Sequence, residues 1–173
     1  LGDVYKRQIP YAYEISDYDY IAGLKSFQDG MYQIQDISSM LAGEYTAPKA
    51  GDTIVDVCGA PGGKSINAAL KMSEQGDCGR VIARDLSDYK VALIDENIKR
   101  LNITNIQTQV YDALDCDESL INKADIVIAD LPCSGLGIIG RKPDIKYNAS
   151  PEKLQSLVDL QRDILKVVSR YVK

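Results

Sequence analysis

Two short stretches of this 173-residue chain hold side chains whose types and spacing can do chemistry. One is Val55-Asp56-Val57-Cys58-Gly59-Ala60-Pro61-Gly62-Gly63-Lys64-Ser65, a glycine-rich turn between an apolar run and a helical pattern. Glycines in such a place let the backbone approach a ligand closely and aim amide N–H groups at it. The other is Asp130-Leu131-Pro132-Cys133-Ser134-Gly135, which sets a thiol on a proline-shaped loop close to a carboxylate.

Three ligands compete for the glycine turn. Gly63-Lys64-Ser65 supplies the end of a P-loop, but Cys58 stands where that pattern needs glycine. Gly59, Gly62 and Gly63 do not reproduce the dinucleotide fingerprint, and Pro61 sits inside the turn. S-adenosylmethionine has no pyrophosphate, so its site does not need phosphate-cradle spacing. It needs a carboxylate after the next strand for the ribose hydroxyls, and Asp85 stands there, 22 residues beyond Gly63. Asp112, past the third strand, can accept from the adenine amine. The bland alternative is a plain turn with two solvated aspartates; the turn, both aspartates and the second stretch together favour the methyl donor.

Cys133 then invites covalent chemistry. Cytosine C5 is a poor nucleophile, and a thiolate adding to C6 makes the ring an enamine-like carbanion able to accept a methyl group. The competing reading is that Cys133 is a small buried hydrophobe. Cys58 ends a buried strand and reads as packing and backbone contact. The loop after Cys133 carries Arg141, Lys142 and Lys146, cations able to neutralise RNA phosphates; a solvated loop is the alternative.

These groups need a scaffold, and the flanking periodicities describe one. Thr53–Cys58, Gly79–Arg84, Ile106–Tyr111 and Ala124–Ala129 read as strands. Between them lie a helix over about Lys64–Met72 and one capped by Ser87 with the stripe Val91, Ile94, Ile98 and Leu101. Ser150-Pro151 starts a last helix, carrying Leu154, Leu157, Val158, Leu165 and Val168 nearly to the end. Asp36 is placed to cap a short helix with Ile37, Met40 and Leu41. The alternation predicts an α/β fold with a mostly parallel sheet. Residues 1–29 are an irregular, tyrosine-rich lead-in, of which Leu1–Gln8 resemble translated adapter read-through; residues 30–173 form the domain.

Composition narrows the chemistry. Histidine is absent, which excludes Ser-His and Cys-His dyads and His-ligated metal within these residues. Cys58, Cys78, Cys116 and Cys133 never form a C-x-x-C pair, so no zinc cage is expected and reduced thiols in a cytoplasmic protein fit. No run approaches the roughly 20 apolar residues of a membrane span. A net charge of −5 argues against a stand-alone nucleic-acid binder, so any basic RNA surface must be local or lie elsewhere. The expected state is a monomer without metal.

With these motifs on the page, the chain resembles the NOL1/NOP2/Sun family of RNA cytosine-5 methyltransferases. The resemblance covers roughly Ile21–Lys173 and rests on four ordered motifs, GMYQIQDISSM, DVCGAPGGKS, ADLPCSGLG and RKPDIKY. It implies a Rossmann-like class I methyltransferase, and S-adenosylmethionine as methyl donor. The target it implies is cytosine in RNA, with 16S ribosomal RNA expected. It also implies a cofactor pocket lined by Cys58, Gly59, Ala60, Pro61, Gly62, Gly63, Lys64, Asp85, Asp112 and Asp130. In that family the Pro-Cys cysteine, here Cys133, assists product release beside Asp130. The attacking cysteine lies in a later Thr-Cys-Ser motif, expected beyond Lys173. DNA cytosine-5 methyltransferases, whose Pro-Cys cysteine attacks directly, are the alternative. A fragment that stops there is expected to show an unpaired sheet edge and one bare apolar face, marginal stability, no methyl transfer and weak cofactor affinity.

Overall fold

A computed structural model describes residues 9–17, 19–76, 79–140 and 142–173, with the side chain of residue 148 also outside the description. Arg141 and Cys78 therefore lie outside the described residues. In chain order the elements are α1 (Lys25–Gln28), α2 (Ile37–Thr46), β1 (Thr53–Asp56), α3 (Gly63–Glu74), β2 (Arg80–Asp85), α4 (Asp88–Arg100), β3 (Ile106–Val110), β4 (Ile126–Ile128), α5 (Ile145–Asn148) and α6 (Pro151–Val168).

The four strands form one parallel sheet in the order β3-β2-β1-β4. The order reverses at β1, so the C-terminal ends of β1 and its neighbours open a crevice where ligands bind in such sheets. The parallel α/β sheet expected from the alternation is present, and with it the Rossmann-like fold that the resemblance implies. Strand ends are shorter than the apolar runs predicted, by two residues at β1, because Val57 and Cys58 already belong to the turn.

Both sheet faces are covered. On one side Val55, Val57 and Ile82 pack with Ile164, Val168 and Tyr171 from α6 and the turn after it. On the other, Ile54 and Val81 pack with Ala68, Ala69 and Met72 of α3. The bare apolar face expected for this chain is therefore not found. The edge beside β4 is also partly occupied: Val172 bridges Ala124, and the Lys173 amide donates to the Ala124 carbonyl at 3.0 Å.

Local signals explain most helix starts. Ser87 and Ser150 cap α4 and α6, each accepting from the amide three residues on, and Pro151 opens α6. Asp36 precedes α2 but its side chain makes no cap hydrogen bond. The apolar residues expected on α6 are all on it, with Val168 buried and Leu157 half-buried. Ile164 and Val168 are buried, whereas Leu154, Val158 and Leu165 are exposed, because apolar residues line more than one face of this helix.

The tyrosine-rich lead-in is tied to the domain by Arg100 at the end of α4. Its guanidinium donates to the carbonyls of Phe27 and Tyr32 at 3.0 and 2.9 Å and lies 3.9 Å above the Phe27 ring. Gly30 makes this approach possible: at φ +73 a Cβ there would stand 2.0 Å from the Arg100 carbonyl oxygen.

Candidate active site

The turn between β1 and α3 is fixed from three directions. The Gly59 amide donates to the Arg84 carbonyl of β2 at 2.8 Å, and the Gly62 amide closes on the Gly59 carbonyl at 2.6 Å. From α4, Asn97 Nδ2 donates to the Pro61 carbonyl at 3.0 Å. The Ala60–Pro61 peptide is cis. Gly62 adopts φ +104, and a Cβ there would meet Ile66 and Ile94 at 3.2 Å.

Asp85 ends β2 directly under this turn. One carboxylate oxygen accepts from the Ala60 amide at 3.1 Å, and the other accepts from the Leu86 amide at 2.8 Å. The Lys90 ammonium stands 3.0 Å away. Asp85 is 3% exposed, so its charge is held by oriented donors rather than by water.

Asp85 and Asp112 line one cleft of about 400 Å³ with Cys58, Ala60, Asp130 and Cys133. Asp112 sits one residue beyond Tyr111, whose amide donates to the Asp85 carbonyl at 2.9 Å, and its Oδ1 accepts from the Leu114 amide. Leu86, Leu114 and Leu131 give the cleft apolar walls, and Leu160 and Ile164 of α6 close it from beneath. An apolar slot with a carboxylate on each of two neighbouring strand ends suits a planar base joined to a diol.

A second cavity of about 290 Å³ lies across the turn, lined by Gly59, Pro61, Gly63 and Lys64 together with Gln35 just before α2. It shares Cys58, Ala60 and Asp130 with the first. The Lys64 ammonium crosses its rim to Asp130 Oδ2 at 2.5 Å. Gly62 lines neither cleft; it is buried against α4. Ser65, the hydroxyl of the P-loop reading, is buried and donates to Asp56 Oδ2 at 2.6 Å, which leaves it committed to the fold.

The two cysteines of the motifs differ. Cys133 is exposed and lies at the wall between the 400 Å³ cleft and a third hollow of about 460 Å³. Its loop is held from α6, where Gln161 Nε2 donates to the Pro132 carbonyl at 2.7 Å. Cys58 is half-buried, and burial, then the negative charges of Asp85 and Asp56, push its thiol up to about 11. It stays protonated at neutral pH, in keeping with a packing role.

The third hollow gathers Cys133, Ser134, Lys142 and Ile145 with Lys153 and Leu157 of α6. Lys146 is not part of it; its ammonium lies 4.8 Å from the Tyr147 ring on α5, a single helical turn where the sequence reads as loop. Sequence reading passed over Lys153, Leu86, Lys90 and Gln35. Lys153 and Lys90 had a signal, since each falls three residues after a serine cap and hence in the first turn of a helix.

A profile described as "16S rRNA methyltransferase RsmB/F" matches residues 44–173. The chain belongs to this family. The RsmB/F match agrees with the NOL1/NOP2/Sun resemblance of the four motifs. A Bacillus subtilis protein named "Probable ribosomal RNA small subunit methyltransferase B" is 42% identical over 154 residues, covering 88% of this chain and 34% of that protein. A Vibrio cholerae protein named "Ribosomal RNA small subunit methyltransferase B" is 34% identical over 157 residues, covering 87% and 34%. The structure of NSun6 from Pyrococcus horikoshii, solved with SFG, superposes with a TM-score of 0.78 at 28% identity, covering 90% of this chain and 39% of that one. This RsmB/F family chain thus spans about a third of the length of its curated relatives. Among its described residues no helix is long and apolar enough to cross a membrane.

Proposed function

We propose that this chain is the methyl-donor-binding part of an enzyme that methylates C5 of a cytosine in small-subunit ribosomal RNA. The observation that carries the reading is the meeting of Asp85, Asp112 and Cys133 on one cleft beneath the glycine turn. Family membership supports the reaction class, and the names of the relatives support the RNA substrate.

S-adenosylmethionine, when bound, supplies an electrophilic methyl group on a sulfonium. The residues fit such a ligand. Asp85 takes the ribose hydroxyls, with Ala60, Leu86 and Lys90 holding its carboxylate in place. Asp112 accepts from the adenine amine, and Leu86 and Leu114 exclude water from the base. The backbone of Cys58, Gly59, Ala60, Pro61, Gly63 and Lys64 lines the two clefts and lets the ligand approach closely, as the glycines allow. Cys133 stands where that cleft meets the 460 Å³ hollow, which places the thiol between donor and target, and Asp130 lines the cleft with it. Cys133 assists release of the methylated base, and the attacking thiolate comes from a cysteine not among these residues. Lys142 and Lys153, with Arg141 and Lys146 nearby in sequence, neutralise RNA phosphates beside the hollow.

Calorimetric titration of the folded chain with S-adenosylhomocysteine tests the cofactor part. Saturable binding is expected, and none at millimolar ligand overturns it. For the reaction, tritium released from C5-labelled cytosine by the full-length protein should appear with ribosomal RNA; release from DNA instead would reverse the substrate assignment.

A further inference from the structure

A guanidinium is buried in the sheet next to Asp85. Arg84 precedes Asp85 on β2, and alternation along the strand sends its side chain to the other face, the one where Ile82 packs against α6. Arg84 is 4% exposed, so its charge must be answered from within the fold. Across the sheet, its Nε donates at 2.8 Å to Gln109, the residue in register with it on β3. Its Nη2 donates to the Asp117 carboxylate in an ion pair. The guanidinium carbon lies 4.2 Å from the centre of the Tyr111 ring.

Tyr111 and Asp117 are the two ends of the strap, residues 111–117, that leaves β3. Between them stand Asp112, Ala113 and Leu114, which line the 400 Å³ cleft. The strap folds on Asp112: its carbonyl accepts from the Asp115 amide at 3.0 Å, and its Oδ1 accepts from the Leu114 amide at 2.9 Å. The pose of Asp112 is therefore fixed only as well as the ends of the strap are fixed. Tyr171, in the turn after α6, holds the far half, its hydroxyl donating to the Asp115 carbonyl at 3.3 Å and accepting from the Asp117 amide at 2.9 Å. Arg84 grips both ends without itself lining the cleft.

Stability is a poor account of this clamp. Nη1 of Arg84 is buried and has no partner among the described residues. A buried ion pair that is incompletely hydrogen-bonded is often matched or bettered by apolar residues of similar volume. We propose that Arg84 is a positioning residue for base recognition, holding residues 111–117 so that the Asp112 carboxylate meets the adenine amine. This role rests on the cofactor reading above and deepens it, since discrimination at C6 of the purine then depends on a side chain that does not touch the ligand. The ribose end is independent of the clamp, because Asp85 is held by the Ala60 and Leu86 amides and by Lys90.

The test compares S-adenosylhomocysteine with S-inosylhomocysteine, which differs only in carrying a carbonyl where adenine has its amine. Titration of the unsubstituted chain should show at least about tenfold tighter binding of the adenine form, the scale of a hydrogen bond to a charged group. Arg84→Met should cut that preference at least about threefold, with the loss falling on the adenine form. Arg84→Met combined with Asp117→Asn leaves no buried charge unpaired and keeps an acceptor for Ser119, so it serves if the single variant fails to fold. It should lose the preference equally. A general loss of stability lowers both affinities together and leaves their ratio unchanged, so a smaller fall of the ratio in a folded variant overturns the positioning role alone. Equal binding of the two ligands by the unsubstituted chain overturns the Asp112 assignment and this role with it. Failure of the folded chain to bind either ligand overturns the cofactor reading as a whole.

Discussion

The Lys64 ammonium and the Asp130 carboxylate form an ion pair of 2.5 Å that ties the turn after β1 to the loop after β4. The partners are 25% and 61% exposed, so solvent screens their attraction and the pair contributes at most about 1 kcal/mol to stability. Its position, on the rim shared by both clefts, matters more. Lys64→Met is expected to shift the urea midpoint only slightly while weakening S-adenosylhomocysteine about tenfold or more. A large loss of stability with unchanged affinity would make Lys64 a brace and remove it from the site.

Asp85 is predicted to behave differently, because it serves both fold and ligand. Its carboxylate is 3% exposed and satisfies the Ala60 and Leu86 amides. Asp85→Asn turns an amide NH₂ toward one of those N–H donors and leaves Lys90 without its counter-charge. Destabilisation of about 2–3 kcal/mol is expected in denaturant titrations. Ligand affinity should fall about a hundredfold even well below the melting temperature, since the ribose hydroxyls lose their acceptor. Retained affinity in the folded variant would count against the ribose assignment.

Thiol labelling separates the two motif cysteines. Cys58, pushed up to about 11 and half-buried, has about one molecule in a thousand as thiolate at pH 8. Cys133 is exposed on its loop. Iodoacetamide followed by peptide mass spectrometry should find Cys133 modified well before Cys58, with S-adenosylhomocysteine slowing the Cys133 reaction. Faster modification of Cys58 would contradict the arrangement of the turn.

The sheet and the meeting of Asp85 and Asp112 on one cleft were legible in the sequence because their signals are local. Buried strands announce themselves as apolar runs, Ser87 and Ser150 mark helix starts, and Asp85 and Asp112 stand at or just past the ends of strands. What the sequence hid depends on packing between distant segments. Gln35 reaches the turn from a segment that Arg100, 67 residues on from Gln33, holds against α4. The sequence does not say which face of α6 turns inward, because Leu154, Val158 and Leu165 are as apolar as the residues that pack. The covered sheet face followed from the same helix, which a count of missing strands does not weigh.

The buried acid of the turn makes a prediction about pH. Burial raises the Asp56 carboxyl from its ordinary 3.8 to about 6, against the opposing pull of the Ser65 hydrogen bond, the Cys58 amide and the Lys64 charge. Between those two values the folded chain holds a proton that the unfolded chain has lost, so this group's contribution to stability falls as pH rises through that window and is level on either side. The full difference is on the order of 3 kcal/mol. Asp56→Asn keeps an acceptor for Ser65 and removes the titration. The variant's stability relative to the unsubstituted chain should therefore climb from pH 4 to pH 6 and then flatten, as read from urea midpoints across that range. Other carboxylates, such as Asp117, held low mainly by hydrogen bonds from Ser119 and Arg84, push the other way in both proteins and cancel in the comparison. A difference that stays constant with pH would show that the Asp56 carboxyl is not raised in the folded chain.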